Sequence, residues 1–294
     1  MAKKSRRKSS EKPREDTPAR LAELLAVTDG FDLAGVDPAA TPGFRGGKAE
    51  GTAALQAAQP RLSDLQERLW AASRGGATAS VLLILQGMDT AGKGGILRHV
   101  VGSVDPQGVR LTAFKQPTEE ERRHDFLWRI RRALPQPGEI GVFDRSHYED
   151  VLIVRVNALA PRSTWQRRYA TINRFEAGLV QRGTAVVKVM LQISPEEQRR
   201  RLAQRLTRPD KYWKYNPGDL DARARWADYQ QAYQVALTRC STAVAPWHVV
   251  PADRKWYARW AVQQLLIDAL SDLDPQWPAA DVDLAAERAR LAAL

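Results

Sequence analysis

The sequence predicts an α/β fold: three layers, with a mainly parallel five-stranded sheet between helices. Three observations predict it. Short apolar runs alternate with helix-patterned segments from residue 80 onward. The first run, "SVLLILQ", is almost continuously apolar, as a strand covered on both faces must be. It opens directly into a glycine-rich turn, "GMDTAGKGG", from which a helix departs. Strand–helix alternation of this kind builds parallel sheets, whose ligands sit beyond the carboxyl ends of the strands.

Residues 21–50 hold a short apolar run and then the breakers "DPAATPGFRGG", which predicts a short helix and a loop. Leu62, Leu65 and Leu69 recur at helical spacing and predict one helix over about 54–72, closed by Gly75 and Gly76. The first strand is 80–86, "KGGILRHVVGSV" is its helix, and "VRLTAF" (109–114) is the second strand. Thr118 and Glu121 make a capping box for a helix expected to reach about Arg132. "GEIGVFD" (138–144) is the third strand, followed by a helix capped by Ser163 and Gln166 that ends near Gly183. "AVVKVMLQI" (185–193) is the fourth, and "SPEE" behind it joins a Ser cap, a Pro at the first position and a Glu at the third. Asp219 is expected to open a long helix whose Trp226, Tyr229, Tyr233 and Leu237 form a core-facing stripe rather than a platform for bases. "WHVVPA" (247–252) is the fifth strand, before a helix from Arg254 to about Leu270. The expected organisation is a basic tail (1–20), an N-terminal helical extension (21–76), a main domain (77–275) with a lid at about 199–220, and a C-terminal helical tail (276–294).

Composition narrows the classes. Of 294 residues, 44% are hydrophobic and 27% charged, as in soluble globular proteins. Cys240 is the single cysteine, which excludes an internal disulfide, and His99, His124, His147 and His248 lack the spacing of a zinc site. The N-terminus is basic without a following apolar segment, and no apolar run has membrane-spanning length, so a cytoplasmic protein without a membrane partner is expected. Of the net charge of +11, residues 1–20 carry +5 (eight Lys/Arg against three Asp/Glu) and the rest +6. The polar tail is expected to be a disordered, solubilising arm, with no nucleic-acid partner.

The chemistry centres on Gly87–Lys93, a G-x-x-x-x-G-K turn between a buried strand and a helix. Backbone N–H groups of such a loop and the following helix N-terminus bind anions, and Lys93 adds a movable cation. A surface lysine on an ordinary Gly-rich turn would explain the glycines, Gly87, Gly92 and Gly94, and Ala91, but not the strand and helix on either side. Gly94 stands where a hydroxyl usually ligates Mg²⁺, and Asp89 sits inside the loop. Asp144, closing the strand in "IGVFDRS", would supply a carboxylate, with Asp89 as the second, and two carboxylates plus phosphate oxygens suit Mg²⁺. Residues 199–214 hold seven Lys/Arg against Asp210, with Arg201 and Arg205 four apart on one helical face and Lys211 and Lys214 beyond the break at Pro209. Much of such a run is ordinary solvated surface, but kinases with this loop place a basic lid here, where phosphoryl transfer needs positioning and charge stabilisation. Lys115, Arg145 and Arg155, near other strand ends, would extend the positive surface. No general base stands out, which suits a phosphate acceptor already ionised near neutral pH, with a second pKa of about 6.

Six segments, "GMDTAGKGG", "FKQPTEEE", "HDFLWRIRRALPQPGEIGVFDRSHYEDVLIVRV", "RPDKYWKYNPGDL", "RARWADYQQAY" and "APWHVVPADRKWYARW", resemble the family-2 polyphosphate kinases, in order over about residues 50–270. The resemblance implies a P-loop kinase-like fold with a helical lid and reversible, Mg²⁺-dependent transfer of the terminal phosphoryl of inorganic polyphosphate to AMP, ADP or both, giving ADP and ATP. It implies Walker A roles for Asp89 and Lys93, Walker B roles for Asp144 and Arg145, and lid roles for Arg201, Arg205, Lys211 and Lys214. "SHYEDVLIVRV" is most like class III, the members acting on AMP and ADP, with an acidic residue at Glu149 where ADP-preferring members carry Asn. A homo-oligomer is a further implication. Two readings compete: an ATP-dependent nucleoside monophosphate kinase, which the missing hydroxyl after Lys93 and the added cations disfavour, and a non-catalytic basic P-loop protein that binds nucleic acid.

Overall fold

The structure, a computed structural model, describes residues 20–294. The basic tail expected over 1–20 therefore lies, apart from Arg20, outside the described residues. In chain order the elements begin with α1 (Leu21–Leu25), α2 (Lys48–Ala57), α3 (Gln59–Arg74), β1 (Ser80–Gln86), α4 (Lys93–His99) and β2 (Val109–Ala113). There follow α5 (Glu119–Arg122), α6 (Trp128–Arg132), β3 (Ile140–Asp144), α7 (Ile153–Val156), α8 (Arg162–Gln181) and β4 (Thr184–Gln192). The chain closes with α9 (Pro195–Thr207), α10 (Gly218–Ala224), α11 (Trp226–Cys240), β5 (Trp247–Pro251), α12 (Lys255–Leu273) and α13 (Leu284–Ala292).

All five strands are parallel, in the order β2-β3-β1-β4-β5. β1 is central and buried at every residue. Its register sets Leu85 opposite Asp144 and Gln86 opposite Met190. The glycine-rich turn and Asp144 thus leave the sheet side by side at the same edge. After β3 the chain crosses to the other side of β1, which opens a crevice there. α12 lies against α2, α3, β4 and β5 and anchors the N-terminal helices to the sheet. Gly51 makes that approach possible, because a Cβ would collide with the Trp256 ring.

Several helices differ from their sequence expectation. The single helix over 54–72 is two, α2 and α3, because Pro60 in the first turn of α3 cannot donate to the preceding turn. The Thr118 capping box forms (Thr118 N to Glu121 Oε2 2.8 Å, Glu121 N to Thr118 Oγ1 3.2 Å), but its helix stops at Arg122. The Asp125 carboxylate then takes the Leu127 N–H at 3.0 Å and restarts the chain as α6. α8 begins at Arg162 behind Pro161, so Ser163 and Gln166 lie within the helix rather than capping it. The helix assigned to Asp219 is also two, with Arg225 out of helical geometry, and Asp219 is a buried side chain inside α10. Tyr229, Tyr233 and Leu237 are buried and Trp226 packs against them, as the stripe predicts. Ser194 caps α9 as expected, accepting the Glu197 N–H at 3.1 Å.

Candidate active site

A cleft of about 600 Å³ opens above the carboxyl ends of β1 and β3. Nine Lys/Arg line it against two carboxylates, Asp89 and Asp144. Its floor is the turn after β1. Gly87 has φ +146°, and a Cβ there would lie 2.7 Å from the Leu191 carbonyl, so only glycine passes this close to β4. Gly92 takes φ +128° at the start of α4. Thr90 (φ 67°) and Arg145 (φ 64°) are held in the left-handed region although neither is glycine, a strain that surrounding contacts must sustain. Lys93 folds back so that Nζ donates to the Gly87 carbonyl at 2.8 Å, which parks the ammonium over the turn. Ala91 is buried, and the space where a Gly94 side chain would stand is open. Room for a hydroxyl therefore exists, and its absence is a matter of chemistry rather than packing.

Asp89 pairs with Arg145 at 2.9 Å across the cleft floor. Burial alone would lower the Arg145 pKa, but the carboxylates of Glu149 and Asp89 hold it above its ordinary value. Burial raises the Glu149 pKa, and Arg145 and Lys93 oppose the rise. Asp144 ends β3 with Oδ1 buried and without a hydrogen-bond partner. An orphaned carboxylate oxygen in a cleft that holds a second carboxylate fits a divalent cation that takes its remaining ligands from phosphate and water. Among the described residues no cluster of three or more His, Cys, Asp or Glu could hold a metal ion by itself.

The expected lid cations divide in two. Lys214 is exposed and Lys211 half-buried at the cleft rim, while Arg205 reaches the rim from α9. Arg205 is restrained by Asp219 Oδ2 at 2.7 Å and the Lys214 carbonyl at 2.9 Å. Arg201 is different. It is buried, pairs with Glu197 through Nε at 2.6 Å, and donates to the carbonyls of Thr90, Ala91, Ala252 and Asp253 at 2.6–2.9 Å. Its guanidinium braces the turn from behind, with every nitrogen engaged. Lys115 and Arg155 do not reach the cleft lining. Lys115 is exposed after β2, and Arg155 stacks over Trp165 at 5.0 Å.

Sequence reasoning missed Arg98, Lys255 and Arg259, which complete the basic wall. Lys255 and Arg259 are one helical turn apart on α12, a spacing visible in "PADRKWYARW", but nothing local ties α12 to a loop more than 150 residues away. Burial and the neighbouring Arg201 and Lys211 lower Lys255 to about 8. Burial, then Arg98 and Arg201, lowers Arg259.

A wall of this charge over a helix N-terminus suits a ligand with several phosphates, and the parallel sheet with its glycine-rich turn and basic cleft is that of a P-loop phosphotransferase. The family model described as polyphosphate kinase 2 matches residues 46–278, and the chain belongs to that family. It is 45% identical over 248 residues to the AMP/ADP-polyphosphate phosphotransferase of Meiothermus ruber, covering 84% of this chain and 91% of the relative. It is 44% identical over 230 residues to the ADP-polyphosphate phosphotransferase of Rhodopseudomonas palustris, covering 74% and 78%. The crystal structure of polyphosphate kinase 2 from Arthrobacter aurescens TC1 superposes with a TM-score of 0.92 at 59% identity, covering 94% of this chain and 98% of that one. Among the described residues no helix is long and apolar enough to cross a membrane.

Proposed function

We propose that this protein is a cytoplasmic, Mg²⁺-dependent phosphotransferase that moves the terminal phosphoryl of inorganic polyphosphate to AMP and to ADP, giving ADP and ATP. The observation that carries the reading is the cleft's charge: besides the bracing Arg201, eight cations against two carboxylates, continuing past the loop along α9 and α12. A nucleoside triphosphate needs only the loop end of that wall. A chain of phosphates, each carrying roughly one charge, can use all of it.

In this reading Lys93 and the N–H groups of the turn hold the transferring phosphoryl, and Arg145 orients it from the opposite side. Lys211, Lys214, Lys255 and Arg259 hold the polymer behind it. Asp144 and Asp89 would hold Mg²⁺, which neutralises charge on phosphate oxygens. Arg201 keeps the turn in its strained shape and touches no substrate. No side chain is assigned as general base, because the acceptor is itself an ionised phosphate. In this reading Glu149, half-buried near Arg145 and Lys93 but outside the cleft lining, selects the acceptor. Support comes from the family, from relatives named for AMP/ADP and for ADP, and from this charge distribution.

The test is incubation of the purified protein with Mg²⁺ and long-chain polyphosphate, adding AMP or ADP separately and resolving nucleotides by chromatography. ADP and then ATP from AMP is expected. Product from ADP alone would remove the dual-acceptor reading. No product from either, with transfer from ATP to AMP intact, would make the protein a nucleoside monophosphate kinase.

A further inference from the structure

We propose that Gln86 is a positioning residue for acceptor choice, acting through Glu149; the inference rests on the phosphotransferase reading above. Gln86 is the last residue of β1, immediately before the glycine-rich turn, and is 1% exposed. Its amide orientation follows from its neighbours. With the nitrogen toward Glu149 and the oxygen toward Ser146, the amide donates to Glu149 Oε1 at 3.1 Å and accepts from Ser146 N at 3.1 Å and Ser146 Oγ at 3.0 Å. Ser146 Oγ already accepts the Tyr148 N–H at 3.2 Å, so its one proton is free for Gln86. Every hydrogen bond of this buried amide is thereby spent on the turn that carries Glu149.

A fully buried strand end asks for an apolar residue here, and a buried amide that loses its partners is costly. The amide therefore matters for what it holds. Arg145 and Lys93 also attract Glu149, but both ride on long, rotatable side chains. Gln86 is the short neutral donor fixed to the sheet, and it sets where the carboxylate stands. That position has a chemical consequence. In that reading Arg145 and Lys93 hold the phosphoryl that the acceptor attacks, and AMP and ADP approach it with different charge. Displacing the Glu149 carboxylate changes the charge beside the two cations, and with it which acceptor is favoured.

The test is a double-substitution cycle read as the ratio of kcat/KM for AMP to that for ADP, with polyphosphate as donor, in the whole protein. Gln86→Leu is expected to change the ratio by about fivefold or more, and by less than about twofold when Glu149→Gln is already present. An unmoved ratio in the single variant, or an equal shift in both backgrounds, would overturn the proposal, because a merely structural residue would act independently of Glu149. Should Gln86→Leu fail to fold, Gln86→Met keeps the length without the amide and serves the same cycle. Wild-type protein that forms no product from polyphosphate would remove the underlying reading and this inference with it. Product with an unmoved ratio would remove the role of Gln86 alone.

Discussion

Arg201 donates through one nitrogen, Nη1, to the carbonyls of Ala91 and Thr90, at 2.9 Å each. The contact ties α9 to the turn beneath the cleft, and Thr90 is one of the strained residues it supports. Arg201→Ala leaves those carbonyls without a donor and the Glu197 carboxylate with Arg200 alone. Leaving a buried carbonyl without its donor costs about 1–3 kcal/mol. The expected result is a lower melting temperature together with loss of turnover for both substrates. Arg201→Lys is expected to recover little, since one ammonium cannot serve acceptors on two sides of a planar fork. Wild-type stability in Arg201→Ala would show that the turn holds its shape unaided.

Lys93→Ala and Asp144→Asn are expected to abolish transfer and leave the fold intact. Lys93 Nζ has Gly87 as its partner in the protein, and Asp144 Oδ1 has none, so neither change strips the core of a necessary contact. Turnover should fall by at least about a hundredfold in each, the scale for removing an electrostatic contact to the reacting group. Near-wild-type turnover in either purified variant would remove the proposed chemistry.

Lys214 is exposed at the rim and rests over Trp213 at 4.8 Å, where it can swing onto a polymer. Lys214→Ala is expected to raise KM for long-chain polyphosphate by about three- to tenfold and to change the nucleotide KM less. Raising salt should weaken the polymer in the same direction in wild-type protein. Equal losses for both substrates would place Lys214 at the reaction centre instead.

Lys255 gives the cleft a pH dependence. Burial and its cationic neighbours lower it to about 8, although its side chain also reaches solvent, so it is charged below that pH and neutral above it. Polyphosphate kcat/KM should therefore fall as pH rises through about 8. Lys255→Arg, whose guanidinium keeps its proton there, should hold the activity to higher pH. An identical alkaline limb in the two proteins would assign it to another group.

Much of this was legible from local patterns. β1 and its turn are contiguous, so a buried run entering G-x-x-x-x-G-K marks both the strand and the anion site, and Asp144 is marked by the end of the next buried run. What local patterns miss is set by distant contacts. Whether an arginine in "RRRLAQR" faces solvent or carbonyls depends on where α9 docks: Arg199 is exposed while Arg201 is sealed under the turn. Arg98, Lys255 and Arg259 enter the cleft only because the parallel order brings α4 and α12 together. Helix ends failed where a proline or a side-chain cap overrode periodicity, at Pro60, Asp125 and Pro161. From the sequence Gln86 is the end of a strand, and its attachment to Glu149 runs to the turn after the neighbouring strand, which only the sheet order reveals.

On the opposite side of the Ser146–Asp150 turn, Lys188 and Glu176 form a buried pair at 2.6 Å. Glu176 also accepts from the Tyr148 hydroxyl at 2.8 Å and faces His147 Nε2 at 3.1 Å, while Lys188 donates to the Cys240 carbonyl at 2.6 Å. Burial alone would raise the Glu176 pKa, but Lys188 and His147 outweigh it and hold the carboxyl below its usual range. A carboxyl depressed on folding stabilises above its unfolded pKa, about 4.3, and that contribution is lost as pH falls through the folded value. Glu176→Gln keeps the shape and removes the charge, which strands a buried ammonium, so a loss of about 3–5 kcal/mol is expected. The variant should also lose less stability than wild type on acidification. Glu176→Met with Lys188→Met removes both charges and should cost less than the sum of the single changes, since neither ion is then left alone, while Tyr148 and Cys240 still lose partners. Strict additivity in thermal unfolding would mean that the two residues contribute independently and that the pair does not clamp the turn as a unit.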